Sequence, residues 1–163
     1  MKSFDSMIIV LYGVIVVFFL YRIIKQMRDK KKLEGNIESF KRPSSTFEVI
    51  LFSVLTVTGI VNLYFGYVQN NKQNMLTAVV MIALAVVFAI STRSKLYVAE
   101  NGILSNAAFS TYKQIKKWGF DPENGDFVML VKDQKGENRE VTKVNKADIE
   151  RINTLIRKYK LGK

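Results

Sequence analysis

The chain has 163 residues, 48% of them hydrophobic, and a formal net charge of +11 from 25 Lys and Arg against 14 Asp and Glu. It contains no His and no Cys, which removes the commonest general base, the thiol nucleophile, disulfides and most zinc ligand sets. Its mean hydropathy of +0.07 averages two unlike halves: the long apolar runs precede residue 92, whereas residues 92–163 hold 15 Lys and Arg against 9 Asp and Glu.

Three apolar segments come first, Met7–Ile24, Val49–Val68 and Met75–Ser91. A helix crossing the hydrocarbon layer needs about 20 residues, and helices of a soluble core keep a polar stripe that these lack. They therefore predict three membrane spans, at 7–24, 49–68 and 75–91. The first is expected to be a retained anchor, because no small-residue cleavage site follows it and Arg22, Lys25 and Arg28 do.

The connector between the first two spans, residues 22–46, is strongly basic. Tyr21–Pro43 holds eight of the 25 basic residues, and the short loop between spans two and three, residues 69–74, has only Lys72. Basic loops stay on the cytoplasmic side. The expected topology therefore has the amino terminus outside and the carboxyl-terminal domain in the cytoplasm. Arg22, Lys25, Arg28, Lys30, Lys31 and Lys32 become candidate contacts for anionic lipid head groups, each contributing on the order of 1 kcal/mol near the surface; the alternative is charge that sets topology and does nothing more. Nucleic acid is not an expected partner. Gly35, Pro43 and Ser44–Thr46 are expected to interrupt any helix before span two.

Within the spans, Ser53, Thr56, Thr58 and Asn62 are polar, but no ionisable group lies in the centre of any of them. Proton and ion pathways usually need such groups. Helix packing is the expected role of Thr58, Asn62, Gly59 and Gly66.

After residue 92 the period changes from helical to alternating. Strands are expected at Leu96–Ala99 and Ile103–Phe109 around a tight turn at Glu100, Asn101 and Gly102, with Asn-Gly as the hairpin signal. A third, within residues 111–120, should bend near Lys116 or Lys117 so that Ile115 and Trp118 pack beneath the last helix against Ile152 and Ile156. A fourth covers residues 127–133 and a fifth residues 139–144. Residues 145–160 form an amphipathic helix, with Asn145 as cap, Asp148 at the capping-box position, and Ile149, Ile152, Leu155, Ile156 and Tyr159 on one face. Asp121, Glu123 and Asp126 look superficially like a calcium loop, but they lack EF-hand spacing and read as a hairpin turn.

The stretch from Leu96 to Asp121, with Asn101-Gly102-Ile103 after the first strand and Tyr112, Ile115 and Trp118 at three-residue spacing in the third, resembles pleckstrin-homology-like (PH-like) domains. These follow transmembrane hairpins in bacterial multi-pass membrane proteins of unknown function. The resemblance covers residues 93–163 and implies a seven-stranded fold, against five strands counted here. The expected class is thus an α+β membrane protein, with a membrane domain at 1–91 and a small, mostly antiparallel PH-like domain at 92–163 capped by a helix. The resemblance implies a binding or assembly module of the bacterial inner membrane rather than an enzyme, with a possible place in envelope stress or self-protection against membrane-active peptides. A small transport or channel subunit acting through the spans is the alternative. The expected partners are the bilayer with its anionic head groups and either another membrane protein or a second copy. No catalytic, cofactor or metal residues are assigned.

Overall fold

The structure is a computed structural model that describes residues 2–106 and 108–162. The chain divides into two compact units, residues 1–24 with 44–92 and residues 25–43 with 93–163.

The first unit is helical. Helix α1 spans Lys2–Lys30, α2 spans Thr46–Val68 and α3 spans Lys72–Thr92. All three are long and apolar enough to cross a membrane. Their outward residues, among them Val10, Val17, Val57 and Phe65, are exposed apolar side chains, as expected of helices with no polar stripe. Before α2, the Ser45 N–H donates to the Glu48 carboxylate at 3.4 Å. At the start of α3, Asn71 Oδ1 accepts from the N–H groups of Gln73 and Asn74 at 3.1 and 3.3 Å, satisfying donors that the helix leaves unpaired.

Helices α2 and α3 form an antiparallel hairpin packed through small residues. A Cβ on Gly59 would meet Ile82 at 2.8 Å, and one on Gly66 would meet the Met75 backbone at 2.8 Å. Packing of the two helices is therefore what these glycines permit. Asn62 donates to Met81 Sδ at 3.7 Å, while the Ser53 and Thr56 hydroxyls bond carbonyls four residues back in their own helix. Ser53, Thr56 and Asn62 of the second span thus find partners within the hairpin.

The second unit has seven strands and a helix: β1 Ile37–Lys41, β2 Lys95–Ala99, β3 Gly102–Leu104, β4 Phe109–Thr111, β5 Ile115–Phe120, β6 Phe127–Asp133, β7 Gly136–Thr142 and α4 Ile149–Leu161. They form a four-stranded sheet in the order β1-β2-β3-β4 and a three-stranded sheet in the order β5-β6-β7, and every pairing is antiparallel. The count of five strands is corrected at two places. The connector supplies β1, whose five residues pair with β2 from Ile37↔Ala99 to Lys41↔Lys95. The strand expected over Ile103–Phe109 is two, because the Ser105 N–H bonds the Ala108 carbonyl at 3.1 Å and turns the chain between them.

Smaller corrections follow from turn chemistry. The third expected strand begins only at Ile115, since Gln114 closes a turn on Thr111 through both its backbone N–H and its side chain. The β6–β7 turn is confined to Gln134 and Lys135, so β7 starts at Gly136, three residues earlier than expected. The last helix begins at Ile149 after a 3-10 turn at Lys146–Asp148, and neither Asn145 nor Asp148 makes a side-chain cap hydrogen bond.

Alternation along β6 buries Phe127, Met129 and Val131 and turns Val128 and Leu130 outward. The buried set joins Leu96, Val98, Ile103 and Ile115 and the α4 residues Ile152, Leu155 and Ile156 in one core. A bulge falls between Ile115 and Lys117, where the bend was expected. It lets Ile115 enter the core while Trp118, two pairings along, still points to the same side. Trp118 packs against this core but stays half-buried, and its Nε1 donates to Asn153 Oδ1 on α4 at 3.3 Å. It is an edge residue, not the centre of the core.

Candidate functional site

The candidate lipid contacts all lie at the end of α1 and in the turn after it. Arg22, Lys25, Arg28, Lys30, Lys31 and Lys32 are all exposed. They are not equally free. Lys32 pairs with the buried Asp29 at 2.6 Å, and Lys30 lies over the Tyr97 ring at 5.1 Å from its centroid. Asn101 then binds the chain just beyond: its Nδ2 donates to the Lys32 carbonyl at 2.7 Å and its Oδ1 accepts from the Glu34 N–H at 3.1 Å. Asn36 donates to Glu100 at 2.8 Å. Gly35, with φ of 76°, sits so close to Glu100 that a Cβ would collide with its side chain. The residues expected to make only a tight turn therefore also hold the basic connector to the sheet. Sequence inspection missed this because the contact joins residues more than sixty positions apart.

A second ion pair fixes β1 to the last helix. Arg151 Nε and Nη2 donate to the two oxygens of Glu38 at 3.0 and 2.5 Å. That guanidinium holds the Glu38 carboxyl below its ordinary value. The Tyr112 hydroxyl donates to the Ala99 carbonyl at 2.6 Å, and burial pushes the phenol above its ordinary range. Lys160 donates to the Tyr112 carbonyl at 3.2 Å and to the Ile115 carbonyl, and it covers the Trp118 ring at 5.5 Å. Burial lowers the Lys160 ammonium from its ordinary value. These groups tie elements together.

The outer face of the three-stranded sheet is different. Cross-strand register places Gly119, Val128 and Val141 in one row and Lys117, Leu130 and Arg139 in the next. Both rows point away from the core. They floor a groove of about 350 Å³, whose rim includes Trp118, Phe120, Asp121 and Pro122. Neither Lys117 nor Arg139 has an ion-pair partner among the described residues. Spread along the sequence, Lys113, Lys116, Lys117, Lys132 and Lys143 read as a solvated sheet face. The register adds Arg139 opposite Lys117 and an apolar floor between them, which required the pairing of β5, β6 and β7 to find. Asp121, Glu123 and Asp126 form the β5–β6 turn. Asp121 Oδ1 accepts from the N–H groups of Glu123 and Asn124 at 2.9 and 3.3 Å, and Gly125 takes φ of 75°.

These features define a class: three helices able to span a membrane, joined to an antiparallel α+β domain that draws one strand from the connector between the first two. Residues 94–161 match the family described as Domain of unknown function (DUF5673). No curated protein and no solved structure matches the chain.

Proposed function

We propose that the chain is a membrane-anchored binding or assembly module, in which three spans hold a PH-like domain in the cytoplasm of a bacterial cell. The observation that carries this reading is the pairing of β1 with β2. The two strands flank the α2–α3 hairpin in sequence, so pairing requires the hairpin to leave and return on one side of the membrane. The concentration of basic residues in the connector favours the cytoplasm as that side. Support for the PH-like reading comes from strand number and order, four then three, followed by a helix packed on the core.

Arg22, Lys25, Arg28 and Lys31 are the connector cations best placed to meet anionic head groups, because Lys30 and Lys32 already have intramolecular partners. An envelope-stress or self-protection role rests on the bacterial resemblance alone. The transport alternative is weakened by hairpin polar groups that bond within the helices and by the lack of central ionisable residues.

Affinity purification in mild detergent, with mass spectrometry of bound protein and lipid, tests the reading when the full chain is compared with one truncated after Thr92. Protein partners held by the full chain and lost on truncation support a binding module. Equal retention by both, or solute flux through liposomes holding only the truncated chain, would move the function to the spans.

A further inference from the structure

We infer that the groove over Gly119 on the outer face of β5-β6-β7 docks a partner protein segment that presents an apolar side chain flanked by carboxylates. The inference deepens the binding-module reading by naming its site and its partner's chemistry, and it rests on that reading.

Gly119 is the first observation. A glycine in a strand interior weakens the strand, and it often marks a place where a ligand or another backbone comes close. Neither usual structural reason for glycine applies here. Its φ is not positive, and a Cβ built on it would meet nothing within 4 Å. At Gly102, by contrast, a Cβ would strike the Ser110 carbonyl and the Phe109 ring, so that glycine is required by packing. What Gly119 provides is an open floor beside Val128.

Charge is the second observation. Lys117 and Arg139 stand on either side of Leu130, one strand away in each direction and so about 10 Å apart by strand spacing. Both lack ion-pair partners among the described residues. Asp121 stands at the opposite end of the groove. This polarity orients the segment: its apolar residue lies over Gly119 and Val128, and its carboxylates point toward Lys117 and Arg139. A second copy of this chain, with net charge +11, is the wrong sign for that end. Neither cation is deeply buried, so their attraction sets orientation and encounter while the apolar contact supplies most of the hold.

Trp118 points to the α4 side of β5 and bonds Asn153 there, so occupancy is read from the fluorescence anisotropy of a dye-labelled peptide. The full chain in phosphatidylcholine nanodiscs would be titrated into a short labelled peptide alternating Glu and Leu, with Gln-for-Glu and Ser-for-Leu peptides as controls. A saturable rise in peptide anisotropy is expected, with affinity weakened at least about tenfold in either control and in Lys117→Gln/Arg139→Gln. Gly119→Leu should abolish it with the circular dichroism spectrum unchanged. If Gly119→Leu altered the spectrum, Val128→Lys, at an outward position, would serve as the second blocking variant. The inference is overturned by no saturable response, by equal binding of the Gln-for-Glu peptide, or by binding that survives the blocked groove. Phosphatidylglycerol vesicles that displace the labelled peptide would overturn it in favour of lipid. The titration does not depend on membrane orientation, so its failure leaves the topology of the module reading standing.

Discussion

Phe127 and Trp118 show how one aromatic ring differs from another on the adjacent strand, two residues along. Phe127 is fully buried between the sheet and α4, whereas Trp118 is half-buried at the β5 edge. Phe127→Ala should cost about 3–5 kcal/mol, the usual range for a buried aromatic ring, and Trp118→Ala at least about 1 kcal/mol less. Pulse proteolysis of the full chain in detergent and urea, reading cleavage within residues 113–143, measures both; equal losses would place Trp118 in the core. The ion pair of Glu38 with Arg151 gives a pH prediction. Because the folded carboxyl titrates below its ordinary value of 4.5, the pair contributes fully above the unfolded value and is lost as pH falls through the folded one. The stability difference between the native chain and Glu38→Gln should therefore be constant near neutrality and shrink below about pH 4.5. The effect is small, since both side chains face solvent. A difference that grew with acid would contradict the assignment.

Strand β1 is the element that sequence reading could not supply. Its residues, Ile-Glu-Ser-Phe-Lys, bury only Phe40, so the alternation is too weak to stand out among neighbouring charges. Its identity is fixed by partners near residue 97, not by its own pattern. The long apolar helices were legible because lipid selects for composition itself, and β6 was legible because five successive residues alternate in and out. The groove was legible only in part. Lys117 could be named, but its relation to Leu130 and Arg139 depends on register. The β1 finding makes a direct prediction. Residues 93–163 alone should fail to fold natively, because β2 would lose one of its two neighbours and the core would lose Phe40 opposite Leu96. Joining residues 25–43 directly to 93–163 should restore the fold, since Lys41 and Lys95 are already paired and a short hairpin replaces α2 and α3. Cooperative thermal unfolding by circular dichroism separates the two. A 93–163 fragment that melts as cooperatively as the fused chain would show β1 to be dispensable.

At the scale of the whole molecule, one constraint joins the two units. The domain takes strands from both sides of the α2–α3 hairpin, so wherever that hairpin crosses a membrane, residues 37–41 and 93–162 share one compartment and the α2–α3 turn lies in the other. The absence of cysteine allows single-cysteine mapping without background. Asn71 caps α3 and should be left intact, whereas Gln69 and Ser39 have exposed side chains. In intact bacterial cells expressing the chain, Gln69→Cys should react with a membrane-impermeant maleimide, and Ser39→Cys should react only after the membrane is opened. Labelling of Ser39→Cys but not Gln69→Cys in intact cells would contradict the proposed orientation and place the antiparallel domain outside the cytoplasm.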